Sequence, residues 1–151
     1  MPTRFSTKPC LILLLLAAIS ATLTAATGCS TRTSDRSLVF LDVSQAIDAV
    51  RGERRILRSP TAGIWLDPRT DQEFAAGHIP GAIHMPLERI RQEHRQLNEF
   101  DVIVVYGNDF NSPRAAAASK TLLELGHTDV RTLRGGLKAW EQAGNTVESS
   151  G

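Results

Sequence analysis

Five consecutive residues near the middle of the chain, Val102-Ile103-Val104-Val105-Tyr106, are all apolar or aromatic. A strand with one face in water alternates apolar and polar side chains, so an unbroken run indicates a strand that is covered on both faces. Other short apolar runs alternate along the chain with segments of helical pattern. This order predicts an α/β fold, in which helices cover both faces of a mainly parallel sheet of about five strands.

The predicted elements begin at Leu38. We expect strands at 38–41, 63–67, 82–85, 102–106 and 130–133. Helices are expected at 44–50, 71–76, 87–97, 112–126 and 137–143. Ser44 is predicted to cap the first helix, and Ser112-Pro113 combines a serine N-cap with a proline at the first helical position. The chain shows no repeat and no boundary after Leu38, so we predict one domain at 38–147 and a tail at 148–151.

Residues 1–28 have the layout of a secretory signal, with a short basic start, a leucine-rich run and a stretch of small residues. That stretch ends at Gly28-Cys29, which resembles a bacterial lipobox, where the cysteine is acylated and becomes the new N-terminus. Simple cleaved secretion and a retained membrane span are the alternatives. The uncharged segment 11–28 lies near the lower limit for a span, which needs about 20 residues, and its second half is polar.

The lipobox resemblance implies an exported protein that is anchored to a membrane through a lipid on Cys29 and faces the periplasm. Ser30 follows the cysteine, which in a Gram-negative cell resembles sorting to the outer membrane. The polar residues 29–37 read as the lipidated N-terminus and a flexible tether. Because Cys10 lies in the signal, the processed chain keeps one cysteine and has neither a disulfide nor a cysteine-based metal site.

The charge balance argues against a nucleic-acid partner. Removal of 1–28 takes two of the 17 basic residues, Arg4 and Lys8, and leaves 15 basic against 16 acidic residues. A nucleic-acid-binding domain of this size carries a clustered excess of positive charge. The four histidines lack metal-ligand spacing. We therefore expect no metal and no other cofactor, and we expect the protein to be a monomer.

Three motifs in series resemble the rhodanese-like domain family. The family's first signature is similar to Asp67-Pro68-Arg69, Glu73-Phe74 and Gly77-His78-Ile79-Pro80-Gly81-Ala82. Its central strand resembles 102–106, and its closing signature resembles Gly135-Gly136-Leu137 with Ala139-Trp140. The resemblance spans about residues 38–147 and implies the rhodanese-like three-layer sandwich.

The resemblance also implies an active-site cysteine, and the matching position here is Gly107. Sulfurtransferases of the family carry sulfane sulfur on a cysteine thiolate directly after the central strand, and related phosphatases attack phosphorus with the same group. Glycine has no side chain and offers no nucleophile. The loop that follows is longer than the usual sulfurtransferase loop, and its side chains with Arg114 are candidate anion ligands: Asn108, Asp109, Phe110, Asn111 and Ser112.

Two functions remain open from the sequence. The first is a membrane-tethered, catalytically inactive module that binds an envelope protein or a small ligand. The second is a sulfurtransferase aided by a partner's thiol, or a phosphatase-like hydrolase that uses the altered loop, with Asp109 or Ser112 as the candidate nucleophile. The missing cysteine favours the first function.

Other motif residues have predicted structural roles. Asp67 and Arg69 point the same way from a strand end, so we predict a charge-assisted pair that fixes the turn at 77–81. His78 is predicted to stabilise that turn by a hydrogen bond rather than to act as a base. Trp65 and Trp140 are predicted to lie in the core.

Overall fold

The computed structural model describes residues 34–52, 63–110 and 112–150. The predicted signal, Cys29 and Asn111 lie outside the described residues. In chain order, the strands and helices are β1 Val39–Leu41, α1 Val43–Arg51, β2 Gly63–Asp67, α2 Asp71–Ala76, β3 Ile83–His84, α3 Ile90–Glu93, β4 Val102–Val105, α4 Pro113–Glu124, β5 Val130–Leu133 and α5 Gly136–Gln142. The described residues also include 3-10 helices at Asp35–Ser37 and His94–Glu99. No helix in the described ranges is both long enough and apolar enough to cross a bilayer.

The five strands form one sheet in the order β1-β5-β4-β2-β3, and every neighbouring pair is parallel. All four residues of the central strand β4 are buried. Its side chains alternate between two cores. Ile103 and Val105 pack with α3 and α4 on one face, whereas Val102 and Val104 pack with α1 and α5 on the other. The predicted three-layer α/β sandwich is therefore confirmed.

Trp65 and Trp140 lie in the core on the α1 and α5 face, as predicted. They are 6% and 8% exposed, and their rings meet edge to face with centroids 5.2 Å apart. The indole Nε1 of Trp140 donates a hydrogen bond to the Thr146 carbonyl at 2.7 Å. The residues after α5 are thereby held against the same core.

The first helix begins earlier than predicted, because Asp42 rather than Ser44 is its N-cap. The Asp42 carboxylate accepts a hydrogen bond from the Gln45 main-chain amide at 2.9 Å, and the Asp42 main-chain amide donates to Oε1 of the Gln45 side chain at 3.1 Å. This reciprocal capping box satisfies two N–H groups that a helix start otherwise leaves open. Ser44 lies within the helix and donates its hydroxyl to Asp42 at 2.9 Å.

The single helix predicted over 87–97 is wrong. The chain forms the four-residue helix α3 and then changes to the 3-10 helix His94–Glu99. Residues i and i+3 are eclipsed in a 3-10 helix, so His94 and Leu97 lie on the same side. Ile90 and Leu97, which have helical spacing in the sequence, are both fully buried. The apolar spacing therefore identifies the buried side of this segment but not its type of helix.

The fold extends beyond both predicted limits. The main chains of Glu148 and His78 exchange two hydrogen bonds, of 2.8 and 2.9 Å, and the Ser150 amide donates to the Ala75 carbonyl at 3.1 Å. Residues predicted as a tail therefore hold the end of α2. At the other end, part of the predicted tether forms the 3-10 helix Asp35–Ser37. Main-chain pairing needs no apolar periodicity, so neither segment has a signal in the sequence.

Candidate functional site

The candidate site is a cleft at the carboxyl end of the sheet, between the loop 107–112 and α2. The loop leaves β4 and enters α4, where Ser112 is the N-cap and Pro113 the first helical residue, as predicted. The Ser112 hydroxyl accepts a hydrogen bond from the Ala115 main-chain amide at 3.5 Å. The cleft has a volume of about 300 Å³ and is lined by Arg69, Glu73, Asn108, Asp109, Ser112, Pro113 and Arg114.

A buried ion pair forms the floor beside the cleft. Asp67 and Arg69 are 0% and 3% exposed, and the guanidinium holds the carboxylate through Nη2–Oδ2 at 2.6 Å and Nε–Oδ1 at 2.9 Å. Arg69 also donates Nη2–H to the Gly77 carbonyl at 2.7 Å, which fixes the turn after α2. The predicted pair is present, and it holds the predicted turn.

Tyr106 completes this buried group from the end of β4. Its ring lies beneath the Arg69 guanidinium at 5.4 Å, and its hydroxyl accepts a hydrogen bond from the Ile79 amide at 3.1 Å. Burial and the neighbouring Asp67 charge raise the pKa of Tyr106 well above its ordinary value. The phenol therefore stays neutral and serves the packing of the turn.

A chain of hydrogen bonds connects this floor to the loop. Arg69 Nη1 donates to Asn108 Oδ1 at 2.8 Å, and Asn108 Nδ2 donates to Glu73 Oε1 at 2.6 Å. The other carboxylate oxygen of Glu73 accepts a hydrogen bond from Arg114 Nη1 at 3.2 Å. Arg114, a candidate anion ligand from the sequence, is thus paired with a carboxylate of the protein itself.

Glu73 is the site residue that the sequence reasoning missed. It belongs to the matched motif, but its contacts with Asn108 and Arg114 join residues 35 and 41 positions apart. The sequence could indicate only a local role for Glu73. Thr70 and Glu73 have the spacing of a capping box, and the structure contains this capping box. Hydrogen bonds from the Thr70 amide and hydroxyl, then from Asn108, lower the pKa of Glu73 to about 2. The carboxylate is therefore ionised at neutral pH.

The space beside Gly107 is filled by the loop's own serine. Gly107 does not have a positive φ, so its backbone does not require glycine. A Cβ added there, however, would overlap Oγ and Cβ of Ser112 and would lie 3.3 Å from Ala115 Cβ. Ser112 therefore has two roles, as the cap of α4 and as the group that occupies the place of a side chain at position 107.

The start of α5 fixes the beginning of the loop. The Leu137 amide donates to the Gly107 carbonyl at 2.8 Å, and the Lys138 amide donates to the Asn108 carbonyl at 3.0 Å. This approach requires glycine at Gly136, where φ is +57° and an added Cβ would lie 2.7 Å from the Gly107 carbonyl carbon. The first N–H groups of α5 are thus used within the protein.

Two other predicted site residues lie outside the cleft lining. Phe110 is 64% exposed, and its ring edge covers Gly135, where an added Cβ would lie 2.9 Å from the ring. His78 is 7% exposed, its Nδ1 lies 2.9 Å from the Phe74 carbonyl, and its ring stacks on that of Phe74 at 3.8 Å. His78 therefore forms a hydrogen bond at the turn, as we predicted.

Known proteins share both this sequence pattern and this fold. The model of the rhodanese-like domain matches residues 53–143. The protein YqhL of Bacillus subtilis (strain 168) is 35% identical over 75 residues, which cover 50% of this chain and 58% of YqhL. The putative sulfur carrier protein YrkF of the same organism is 31% identical over 75 residues, covering 50% and 40%. The chain thus spans less than two thirds of the length of these relatives.

Solved structures of rhodanese-like proteins also resemble this chain. The rhodanese-like domain of the Alr3790 protein from Anabaena sp. is 31% identical, with 62% of this chain and 88% of that chain covered and a TM-score of 0.53. The thiosulfate sulfurtransferase from Pseudomonas aeruginosa is 28% identical, with 74% and 20% covered and a TM-score of 0.59. With its parallel five-stranded sheet and the matched segment 53–143, this chain belongs to the rhodanese-like domain family.

Proposed function

We propose that this protein is a catalytically inactive rhodanese-like domain that acts as a binding or regulatory module in the bacterial cell envelope. One observation carries the proposal: the place where a side chain at position 107 would stand is occupied by Ser112. Sulfur transfer by the family's chemistry needs a cysteine thiolate at that place. A glycine whose side-chain space is already filled supplies neither the thiolate nor room for one.

The charges around the cleft support this proposal. Arg69 is neutralised by Asp67, and Arg114 is shared with the ionised Glu73. Asp109 adds a further carboxylate to the lining. An anionic sulfur donor or a phosphate ester would have to compete with carboxylates of the protein for both arginines, which weakens its binding. A binding role toward a protein or an uncharged small ligand fits this lining better.

Sulfur transfer itself is the first test. The full chain with both cysteines replaced, Cys10→Ala and Cys29→Ala, contains no thiol, and we expect it to form thiocyanate from thiosulfate and cyanide no faster than the buffer does. Turnover above that rate would refute the inactive module. It would favour the alternative, a sulfurtransferase-like or phosphatase-like enzyme, with Asp109 or Ser112 as the nucleophile to replace next. The sulfurtransferase named among the similar structures is the reason to keep this alternative.

A pair of substitutions tests the filled space at Gly107. We expect Gly107→Cys alone to destabilise the domain by about 1–3 kcal/mol through overpacking against Ser112. Adding Ser112→Gly removes both overlapping atoms and should restore most of that loss, as measured by urea unfolding. Ser112→Gly alone is the control, and it should cost only a few tenths of a kcal/mol because glycine is an acceptable N-cap. If Gly107→Cys and the double variant Gly107→Cys/Ser112→Gly are equally stable, this account of the loop is wrong.

The envelope location rests on the signal layout and Gly28-Cys29. We propose a lipid anchor on Cys29 and a domain that faces the periplasm, at the outer membrane in a Gram-negative cell. Cys29→Ala should abolish fatty-acid labelling, and the protein should appear unprocessed or in the soluble fraction. An unlabelled wild-type protein would exclude the lipid anchor but leave the inactive-module proposal in place.

A further inference from the structure

Two histidines that the proposed function does not use face each other at the opposite end of the sheet. Nδ1 of His94 lies 3.2 Å from Nε2 of His127, and the ring planes meet at 88°. Both side chains are half-buried. We propose that this pair is a pH-sensitive clasp, which joins the 3-10 helix His94–Glu99 to the turn between α4 and β5 at neutral pH and opens in acid. The proposal does not depend on the proposed function.

The geometry ties two elements that are distant in sequence. His94 is the first residue of its 3-10 helix, which is anchored to the core by the fully buried Leu97. His127 follows α4, and its amide donates to the Leu122 carbonyl at 3.1 Å. The backbone is therefore fixed near each histidine. The contact between their rings joins two segments whose histidines are 33 residues apart.

The contact depends on protonation. A hydrogen bond between two ring nitrogens needs one N–H donor and one neutral nitrogen with a free lone pair. When both imidazoles are protonated, both facing nitrogens carry hydrogen and two positive charges stand at this short distance. The bond is then replaced by repulsion, so the second proton opens the clasp.

Several acidic groups on the surrounding elements have partners of their own. Glu124 of α4 forms an ion pair with Arg91 of α3 at 3.0 Å, on the same face of the sheet. Asp129, on the turn that carries His127, bonds Arg131 at 2.7 Å. Asp101 lines the same cleft as His127 and has an interaction of its own. On the 3-10 helix side, Glu93 precedes His94 and lies 3.8 Å from Arg89.

The direction of the pH dependence follows from His127. Burial, and then the charge of His94, lower the pKa of His127 below its ordinary value, and a hydrogen bond to the His94 backbone offsets only part of this lowering. The unfolded chain, with a histidine pKa of about 6.5, then binds more protons than the folded protein in the acidic range. The stabilisation is therefore complete above about pH 6.5 and is lost as the pH falls through the lower pKa of the folded state.

Opening the clasp has a structural consequence at a second cleft. A cavity of about 240 Å³ lies at the end of the sheet where β4 and β5 begin, and its lining includes His127, Phe100 and Ile103. Separation of the 3-10 helix from the turn would widen this cavity and uncover the two apolar residues. Acid would thus expose an apolar surface at the end of the domain opposite the loop 107–112.

The test is an NMR titration of the histidine side chains in the full chain, in detergent with EDTA, from pH 8 to pH 4.5. We expect the His127 pKa to lie below the ordinary value in the wild type and to rise in His94→Gln, which keeps a hydrogen-bonding side chain but removes the second charge. The loss of Tm between pH 7.5 and pH 5 should be smaller in His94→Gln than in the wild type. His84→Gln is the matched control, since His84 stacks on Phe74 away from the pair, and it should leave the His127 pKa unchanged.

Two results would overturn the clasp. The first is a His94→Gln variant whose His127 titration and pH-dependent Tm equal those of the wild type. The second is a metal site: without EDTA, micromolar Zn²⁺ would raise the Tm of the wild type but not of His94→Gln, and would abolish the proton titration at neutral pH. The pair would then be a ligand set rather than a proton-controlled contact.

Discussion

Arg69→Ala should destabilise the domain by about 3–5 kcal/mol, because it leaves the Asp67 carboxylate buried without its partner. Asp67 is 0% exposed and receives hydrogen bonds from two side-chain nitrogens of Arg69. The same substitution removes the bonds to Gly77 and Asn108, so the turn and the loop lose support together. Unfolding in urea, followed by tryptophan fluorescence, measures the loss.

The chain contains a matched control for this experiment. Arg131 and Asp129 have the same spacing and the same two-pronged geometry, with bonds of 2.7 and 2.9 Å, but their side chains are 32% and 38% exposed. Exposed pairs contribute at most about 1 kcal/mol, so Arg131→Ala should cost much less than Arg69→Ala. Equal losses would mean that burial does not determine the effect of the Arg69 pair, contrary to our account.

Trp140→Ala should cost about 3–5 kcal/mol, the usual range for a large aromatic residue removed from a core. The ring is 8% exposed and packs edge to face against Trp65, and its N–H is satisfied by the Thr146 carbonyl. The loss would be a large part of the roughly 5–15 kcal/mol that stabilises a domain. Thermal unfolding monitored by circular dichroism measures the change.

Trp140→Phe separates the two contributions of this residue. Phenylalanine keeps most of the buried ring area but cannot donate to Thr146, so we expect a loss well below that of the alanine variant. If Trp140→Ala melts within a degree or two of the wild type, the ring does not hold α5 on the sheet, and a surface role in binding becomes the better explanation.

The sheet could be predicted from the sequence because its strands are buried and parallel. The bounds of β2 and β5, Gly63–Asp67 and Val130–Leu133, agree with the apolar runs that end at turn residues. The helix ends were harder to predict. Asp42 and Ser44 are both good caps by type, and the side chain of Gln45, which the apolar pattern ignores, favours the earlier one.

The site could be predicted only as far as its motif. The sequence indicated that position 107 lacks a nucleophile and that Ser112 caps a helix. It did not indicate that these two residues are in contact. That Ser112 also fills the space beside Gly107 depends on the curvature of the loop. The contacts of Glu73 with Asn108 and Arg114, and of His94 with His127, join residues from separate elements and have no local pattern.

The contact between Gly107 and Ser112 also has an evolutionary consequence. A mutation that places cysteine at 107 first meets the serine side chain, while a mutation of the serine alone brings no chemistry for selection to retain. The two changes are useful only together, a case of sign epistasis within one loop. We therefore expect a lineage with this loop to regain thiol chemistry rarely by single steps, and more readily by exchange of the whole segment 107–112.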